Sequence, residues 1–286
     1  MNTLQEIHKA IKQRLSPVTL SLAQADAEAN WLLSSLFGIT PNTIYTHSSR
    51  FLSPSEERLL EDILCQRIEK HIPIQYLLHE AWFYGLPFYV NPSVLIPRPE
   101  TELLVSHLLQ ECLPGECILD VGTGPGTIAI ALSHHLKGQA SITAVDISPS
   151  ALVVAHINQK NLQTAVCFMS AGDLFAPCPQ ESTFDWIVSN PPYISYQQAE
   201  TLMPEVRWHE PALALFEPEP FHFYKRLCQE GKPYLKPGGK LLVETSADGI
   251  EMLCQLVENA GYSLVQIIND YAGKPRFLQA TYQPMP

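Results

Sequence analysis

The stretch FDWIVSNPPYIS, residues 184–195, contains the side chains with the clearest chemical potential, Asn190, Pro191, Pro192 and Tyr193. An apolar run reads as a buried strand, and the proline pair ends it, leaving an amide, backbone carbonyls and a phenol in the loop that follows. Proline has no backbone N–H and pushes the residue before it toward extended geometry. The side-chain oxygen of Asn190 and the carbonyl of Pro191 are therefore acceptors with few competing donors. Such a pair suits a conjugated NH₂ group, whose two N–H bonds need two acceptors. Taken alone, the same four residues are as readily a proline turn at a strand end. What else falls on the same edge of the fold decides between the two.

Upstream, ILDVGTGPGTIAIAL (118–132) places Gly122, Thr123, Gly124, Pro125 and Gly126 between a strand and a helix, where glycines let the backbone approach a ligand and turn tightly. A dinucleotide fingerprint would need a third glycine at position 127, and that residue is Thr127. The spacing thus argues against an oxidoreductase. Asp146 closes ITAVDIS, where a carboxylate can accept both hydroxyls of a ribose, although an acid there also suits a helix start. The segment SAGDLF (170–175) adds Asp173, an acceptor for an exocyclic amine, and Leu174, which can cover a ring face. Singly, Asp173 is an ordinary turn acid. Together, three successive strand ends describe an adenosine site without a pyrophosphate clamp, which S-adenosylmethionine fits.

The elements that must position these residues follow from periodicity. Residues 1–78 read as helices only, with Ser53, Pro54 and Glu56 in capping-box spacing and Gly38 closing an earlier helix. Residues 79–97 switch to β-type residues punctuated by Gly85, Pro87 and Pro92, a hairpin or extended linker. Residues 98–286 alternate strand and helix, through ECILDVG, SITAVDI, AVCFMSAGD, FDWIVSN and GKLLVETS. YSLVQIIND and RFLQATY then run close together, which predicts an antiparallel edge pair. The fold class is α/β, a Rossmann-like sheet with a small all-helical N-terminal domain and a hairpin linker, and ligands should bind outside the carboxyl ends of the strands.

Composition narrows the function classes. The chain has 286 residues, 46% of them hydrophobic, and a net charge of −11. From residue 81 onward 11 basic side chains face 20 acidic ones, with no basic stripe of the kind that holds nucleic acid. Seven scattered cysteines without a C-x-x-C pair suggest reduced thiols in a cytoplasmic enzyme and no zinc site. The neighbouring His134 and His135 diverge on a helix and are expected at the surface. No apolar run is long enough to span a bilayer, so no membrane association is expected.

These motifs resemble those of the bacterial release factor glutamine methyltransferases over nearly the whole chain. The resemblance is carried by PIQYLL (73–78), VLIPRPETE (94–102), DVGTGPG, AVDIS, SNPPYI, EPALAL (210–215), LKPGGKLLVE (235–244) and DYAGKPRFLQA (270–280). It implies methyl transfer from S-adenosylmethionine, leaving S-adenosylhomocysteine, to the side-chain N5 of the glutamine in the Gly-Gly-Gln loop of peptide chain release factors. It implies that Asn190 and Pro191 are catalytic, with Pro192 and Tyr193 completing the substrate pocket. Cofactor contacts would come from the 122–126 turn, Asp146, Asp173, Leu174 and Asn190. Glutamine methylation of a ribosomal protein and adenine N6 methylation of DNA are the alternatives the same loop permits. Two departures stand out: His79 replaces a glycine usual after PIxYLL, and FEPEPFHFY (216–224) replaces a glycine-rich segment. Arg98 and Glu100 could close the pocket or pair with each other within the linker.

Overall fold

The structure is a computed structural model that describes residues 3–46 and 51–284. Two compact units emerge, Met1–His79 with Met203–His209, and Glu80–Leu202 with Glu210–Pro286.

In the first unit the helices are α1 (Leu4–Leu15), α2 (Leu22–Phe37), α3 (Pro41–Thr46), α4 (Pro54–Glu69) and α5 (Ile74–Leu78). Leu4, Ile7, Ile11 and Leu15 recur at helical spacing along α1 and are buried against Ala25, Ala29, Leu32 and Leu33 of α2 and Leu60, Ile63 and Leu64 of α4. The Ser53–Glu56 capping box forms as expected, as does the left-handed Gly38 cap. One polar side chain interrupts the α4 stripe. Arg67, 1% exposed, reaches both oxygens of Glu28 at 3.0 and 3.1 Å, and its Nη1 lies 2.5 Å from Glu205 Oε2. The pairing offsets the large cost of burying these charges.

His79 ends α5 in the left-handed region at φ 53°. A side chain there is strained where glycine is not. Replacing His79 with glycine is expected to stabilise the fold by about 0.5–1 kcal/mol, less the extra unfolded-chain freedom of glycine. Urea unfolding measures this, and a destabilised variant would show that the imidazole contributes more than the strain costs.

The second unit opens with the hairpin strands β1 (Ala81–Phe83) and β2 (Leu86–Phe88). There follow α6 (Glu102–Glu111), β3 (Cys117–Val121), α7 (Thr127–Leu136), β4 (Ser141–Val145), α8 (Pro149–Leu162), β5 (Val166–Phe168), β6 (Phe184–Ser189) and β7 (Ile194–Ser195). After α9 (Pro204–His209), which belongs to the first unit, come α10 (Ala212–Leu215), β8 (Phe216–Glu217), α11 (His222–Glu230), β9 (Leu235–Glu244), α12 (Ile250–Asn259), β10 (Tyr262–Asn269) and β11 (Pro275–Tyr282).

The main sheet has the order β10-β11-β9-β6-β3-β4-β5, with β9, β6, β3, β4 and β5 parallel and the β10–β11 pair antiparallel at one end. The seven expected strands are the seven strands of this sheet. Strand side chains alternate faces. Ile118, Trp186, Val188 and Leu242 therefore pack with α6 and α7 on one side, while Leu119, Val121, Ile187, Leu241 and Val243 pack with α11 and α12 on the other. Burial on both faces explains why these strands read as continuous apolar runs. One strand is shorter than expected. β5 ends at Phe168, after which Met169 N donates to Ala144 O and Gly172 N to Asp146 O, so SAGD crosses the end of β4 instead of extending the sheet edge.

Candidate active site

The carboxyl ends of β3, β4, β6 and β9 lie along one edge of the sheet, because these strands are parallel and in register. A cleft of about 210 Å³ opens there. It brings together Gly122 to Pro125, Asp146, Asp173, Leu174, Asn190, Pro191 and Pro192.

The turn after β3 is shaped by its glycines. Gly122 and Gly124 have φ of 76° and 56°, and a Cβ on either would meet no protein atom within 4 Å, so their bare backbone faces open space. Gly126 does not line the cleft. Its φ is 84° and a Cβ would come within 2.8 Å of Ile130 Cδ1, so it permits close packing of α7. Gly122 N and Thr123 N donate to Val145 O, which ties the turn to β4. Asn158, fully buried on α8, donates to Pro125 O at 2.9 Å and to Tyr89 O at 3.0 Å. The one polar side chain among the buried residues of α8 thus anchors the turn.

Two carboxylates sit under the turn. Asp120 is completely buried; its Oδ2 accepts from Thr123 Oγ1 at 2.6 Å and from Ala129 N at 3.3 Å, and its Oδ1 finds no partner among the described residues. Burial pushes its carboxyl up to about 7, against the bonds from Thr123 and Ala129. Asp146 Oδ2 accepts from Gly124 N at 2.7 Å and Oδ1 from Ser148 N at 2.8 Å. Burial raises this carboxyl and the N–H donors lower it. Each oxygen spends one lone pair on the backbone and keeps capacity for a hydroxyl of a sugar.

Leu174 lines the cleft with φ 48°, a strained conformation for a branched side chain, and is 4% exposed. Asp173 also lines the cleft, but its Oδ2 is paired with Arg226 Nη1 at 2.8 Å, so only part of the carboxylate is available to a ligand.

Beyond β6, Ser189 Oγ donates to Val121 O at 2.6 Å and fixes the start of the proline loop. Asn190 Nδ2 donates to Thr101 Oγ1 at 2.9 Å, and Thr101 Oγ1 donates to Glu244 Oε2 at 2.7 Å. The loop does not gather all its members in one place. Tyr193 turns into a second cavity of about 200 Å³ with Glu217, Phe221, Tyr224 and Thr245, and burial raises its phenol to about 12. That cavity is shaped by the atypical 216–224 segment: Glu217 accepts from Phe221 N at 3.0 Å and from Phe223 N, and Phe221 takes φ 62° to start α11. Phe223, from the same segment, lines the main cleft.

Arg98 lines the cleft, but its guanidinium pairs at 2.7 Å with Glu210 of the EPALAL segment, not with Glu100. Glu210 also accepts from Ile96 N at 3.2 Å. Sequence reasoning had no signal for this pair across 112 residues, nor for Thr101 and Glu244 behind Asn190.

Chemically, the cleft joins a glycine-lined turn and Asp146 to an oriented amide oxygen, with no Cys, His or Lys among its lining residues and no cluster of metal ligands among the described residues. Comparison with known proteins bears on both halves. Residues 99–207 match the family description "Methyltransferase small domain", and residues 6–78 match "PrmC N-terminal domain". The release factor glutamine methyltransferase of Bacteroides thetaiotaomicron is 38% identical over 86% of this chain and 88% of its own length. That of Fusobacterium nucleatum is 35% identical over 88% and 72%. Among solved structures, a methyltransferase from Pyrococcus furiosus superposes with a TM-score of 0.52 at 22% identity, over 82% of this chain and all of that one. A 16S rRNA methyltransferase of T. thermophilus, in complex with AdoMet and guanosine, gives 0.53 at 19% identity over 71% and 50%. At these identities the two structures speak for the fold alone.

Proposed function

The chain belongs to the release factor glutamine methyltransferase family, and from that premise we propose that it transfers a methyl group from S-adenosylmethionine to the side-chain amide nitrogen of the glutamine in the Gly-Gly-Gln loop of peptide chain release factors. The observation that carries this reading is Asn190, whose amide nitrogen is committed to Thr101 while its oxygen is left for a substrate NH₂ in the cleft that also holds the glycine turn and Asp146.

The residues fit the cofactor. Asp146 has acceptor capacity for two ribose hydroxyls, Gly122 and Gly124 leave room that a Cβ would fill, and Leu174 provides an apolar cover. The partnerless Oδ1 of Asp120 is a buried acceptor beneath the same turn. When bound, the cofactor supplies an electrophilic methyl group on a sulfonium.

The chain's own task is orientation. A carboxamide nitrogen is a poor nucleophile because its lone pair is delocalised into the carbonyl. Asn190 Oδ1 and the Pro191 carbonyl each accept one N–H, which favours rehybridisation and aims the emerging lone pair into the cleft. Proline at 191 and 192 removes two backbone donors that would compete for those oxygens. Arg98 is neutralised by Glu210, so no unpaired cation from this pair repels a sulfonium. The methylated nitrogen sheds its extra proton to water afterwards, so positioning and charge placement carry the rate without a strong base.

In this reading residues 1–78 dock the remainder of the release factor, 79–97 link, and 98–286 carry methyl transfer. No described helix is long and apolar enough to cross a membrane. All seven cysteines are free thiols. Both agree with the cytoplasm, where release factors work. A charge of −11 disfavours DNA, since binding to phosphates draws on counterion release.

Release factor, ribosomal protein and adenine-containing DNA offered side by side with labelled cofactor test the assignment, the label being located by mass spectrometry. The glutamine of the intact release factor should be labelled, and a short peptide bearing the tripeptide far less, because remote binding energy helps position the reacting group. Label on adenine overturns the substrate reading; label on a ribosomal glutamine keeps the chemistry and changes the partner.

A further inference from the structure

Behind Asn190 stand two buried residues whose role in methyl transfer the reading above does not define. Glu244 is the last residue of β9 and 1% exposed, and Thr101, just ahead of α6, is 3% exposed. The chain of bonds runs from Asn190 Nδ2 to Thr101 Oγ1 (2.9 Å) and from Thr101 Oγ1 to Glu244 Oε2 (2.7 Å). A hydroxyl has one proton. Once that proton is given to the carboxylate, the Thr101 oxygen shows Asn190 only lone pairs, so only the amide NH₂ can face it. The opposite rotamer would set two oxygens against each other in a buried place and leave both without a donor, which is unfavourable.

We propose that Thr101 and Glu244 are positioning residues that fix the polarity of the Asn190 amide, keeping Oδ1 toward the cleft as an acceptor for the substrate NH₂. The proposal rests on the reading of Asn190 given above and assigns the part that makes it single-valued. Thr101 itself borders the cleft, so the relay is short and contained in one unit.

The relay has a state in which its polarity is lost. Burial pushes the Glu244 carboxyl up to about 7, against the Thr101 hydrogen bond; Glu100 raises it further, and Arg276 of β11 and Arg98 lower it. The phenols of Tyr193 and Tyr224 also face it and are themselves raised, so they stay protonated. Protonated Glu244 can donate to Thr101, freeing the hydroxyl proton for Asn190 and admitting the reversed amide. Turnover should therefore fall as pH drops through about 7. Stability moves the other way. Glu244 and Asp120 titrate higher in the folded chain than the usual value of about 4, so their contribution is fullest at low pH and is lost as pH rises through about 7. Acid loss of turnover accompanied by an unchanged or higher melting temperature is thus not unfolding.

The test compares wild type, Thr101→Val and Thr101→Ser. Valine keeps the shape without the hydroxyl, and should lower kcat by about 10–100-fold with KM and cofactor affinity within about threefold, because misorientation affects the reacting group and not ground-state binding. Serine should restore most of the turnover, and the acid limb near pH 7 should vanish in the valine variant. The ¹⁵N-detected side-chain amide of Asn190 needs no substrate. Its two proton signals should shift between about pH 8 and pH 6 in wild type and lose that dependence in Thr101→Val. Equal kcat in valine and wild type, a serine variant as impaired as valine, or amide signals indifferent to Thr101 would each overturn the relay. If the wild type labels no glutamine while the Asn190 signals behave as described, the substrate reading fails and the relay stands.

Discussion

Asn190→Ala should lower kcat by about 100-fold or more, some 2.7 kcal/mol of transition-state stabilisation, while S-adenosylmethionine binds with near wild-type affinity. The side chain is half-buried between Thr101 and the cleft, and the truncation removes one of the two acceptors proposed to orient the substrate nitrogen. The Pro191 carbonyl alone cannot determine where the second N–H points, so the nitrogen lone pair would sample directions away from the methyl group. In the proposed reading cofactor binding draws on residues 122–125 of the turn and on Asp146, which the truncation does not touch. Asn190→Asp is an informative companion: it supplies oxygen acceptors but turns one against the Thr101 lone pairs, so it should restore little activity at neutral pH. Calorimetry for the cofactor and initial rates on intact release factor measure both halves. Near-native turnover of a folded Asn190→Ala would remove the oriented acceptor from the mechanism.

The parts of the fold and site that could be read in advance are those whose cause is local. Strands β3, β4, β6 and β9 are buried on both faces and appear as apolar runs, and the breaks after β3, β6 and β9 carry glycine or proline. The Ser53–Glu56 cap spans three residues. The glycine turn, Asp146 and Asn190 fall together because parallel strands share one carboxyl edge. What escaped is long-range. Thr101 meets Glu244 across 143 residues and Arg67 meets Glu28 across 39, and a lone Thr, Glu or Arg on an apolar element carries no sign of its partner. Nor did the sequence separate Pro204–His209 from its surroundings, although it joins the helical unit through Glu205 on Arg67 and His209 on the Lys70 carbonyl at 2.7 Å. Tyr193 parts from its loop neighbours because it shares a cavity with Glu217, Phe221 and Tyr224 of the 216–224 segment, a contact that spacing along the chain does not reveal.

Asp146→Ala should weaken S-adenosylmethionine binding by about 2–3 kcal/mol, roughly 30- to 150-fold, since hydrogen bonds to a charged acceptor are the stronger kind. Two contributions combine. In the proposed site the carboxylate supplies acceptors for the ribose hydroxyls, and it also holds Gly124 N at 2.7 Å and Ser148 N at 2.8 Å, so the alanine variant loosens the turn as well. Asp146→Asn separates them: its single oxygen can keep one backbone N–H or one hydroxyl, and its NH₂ would face a donor, so affinity should fall between wild type and alanine. The fold should tolerate both changes. Burial raises the Asp146 carboxyl, which means the ionised form costs stability that a neutral side chain does not, and this opposes the loss of two backbone bonds. The same raised carboxyl gives a direction to the pH dependence. Protonation replaces an acceptor by a donor, so cofactor affinity should decline on acidification in wild type and lose that dependence in Asp146→Asn. Calorimetric titrations of the three proteins across neutral and mildly acidic pH measure this, and equal affinities in wild type and alanine would take Asp146 out of the cofactor site.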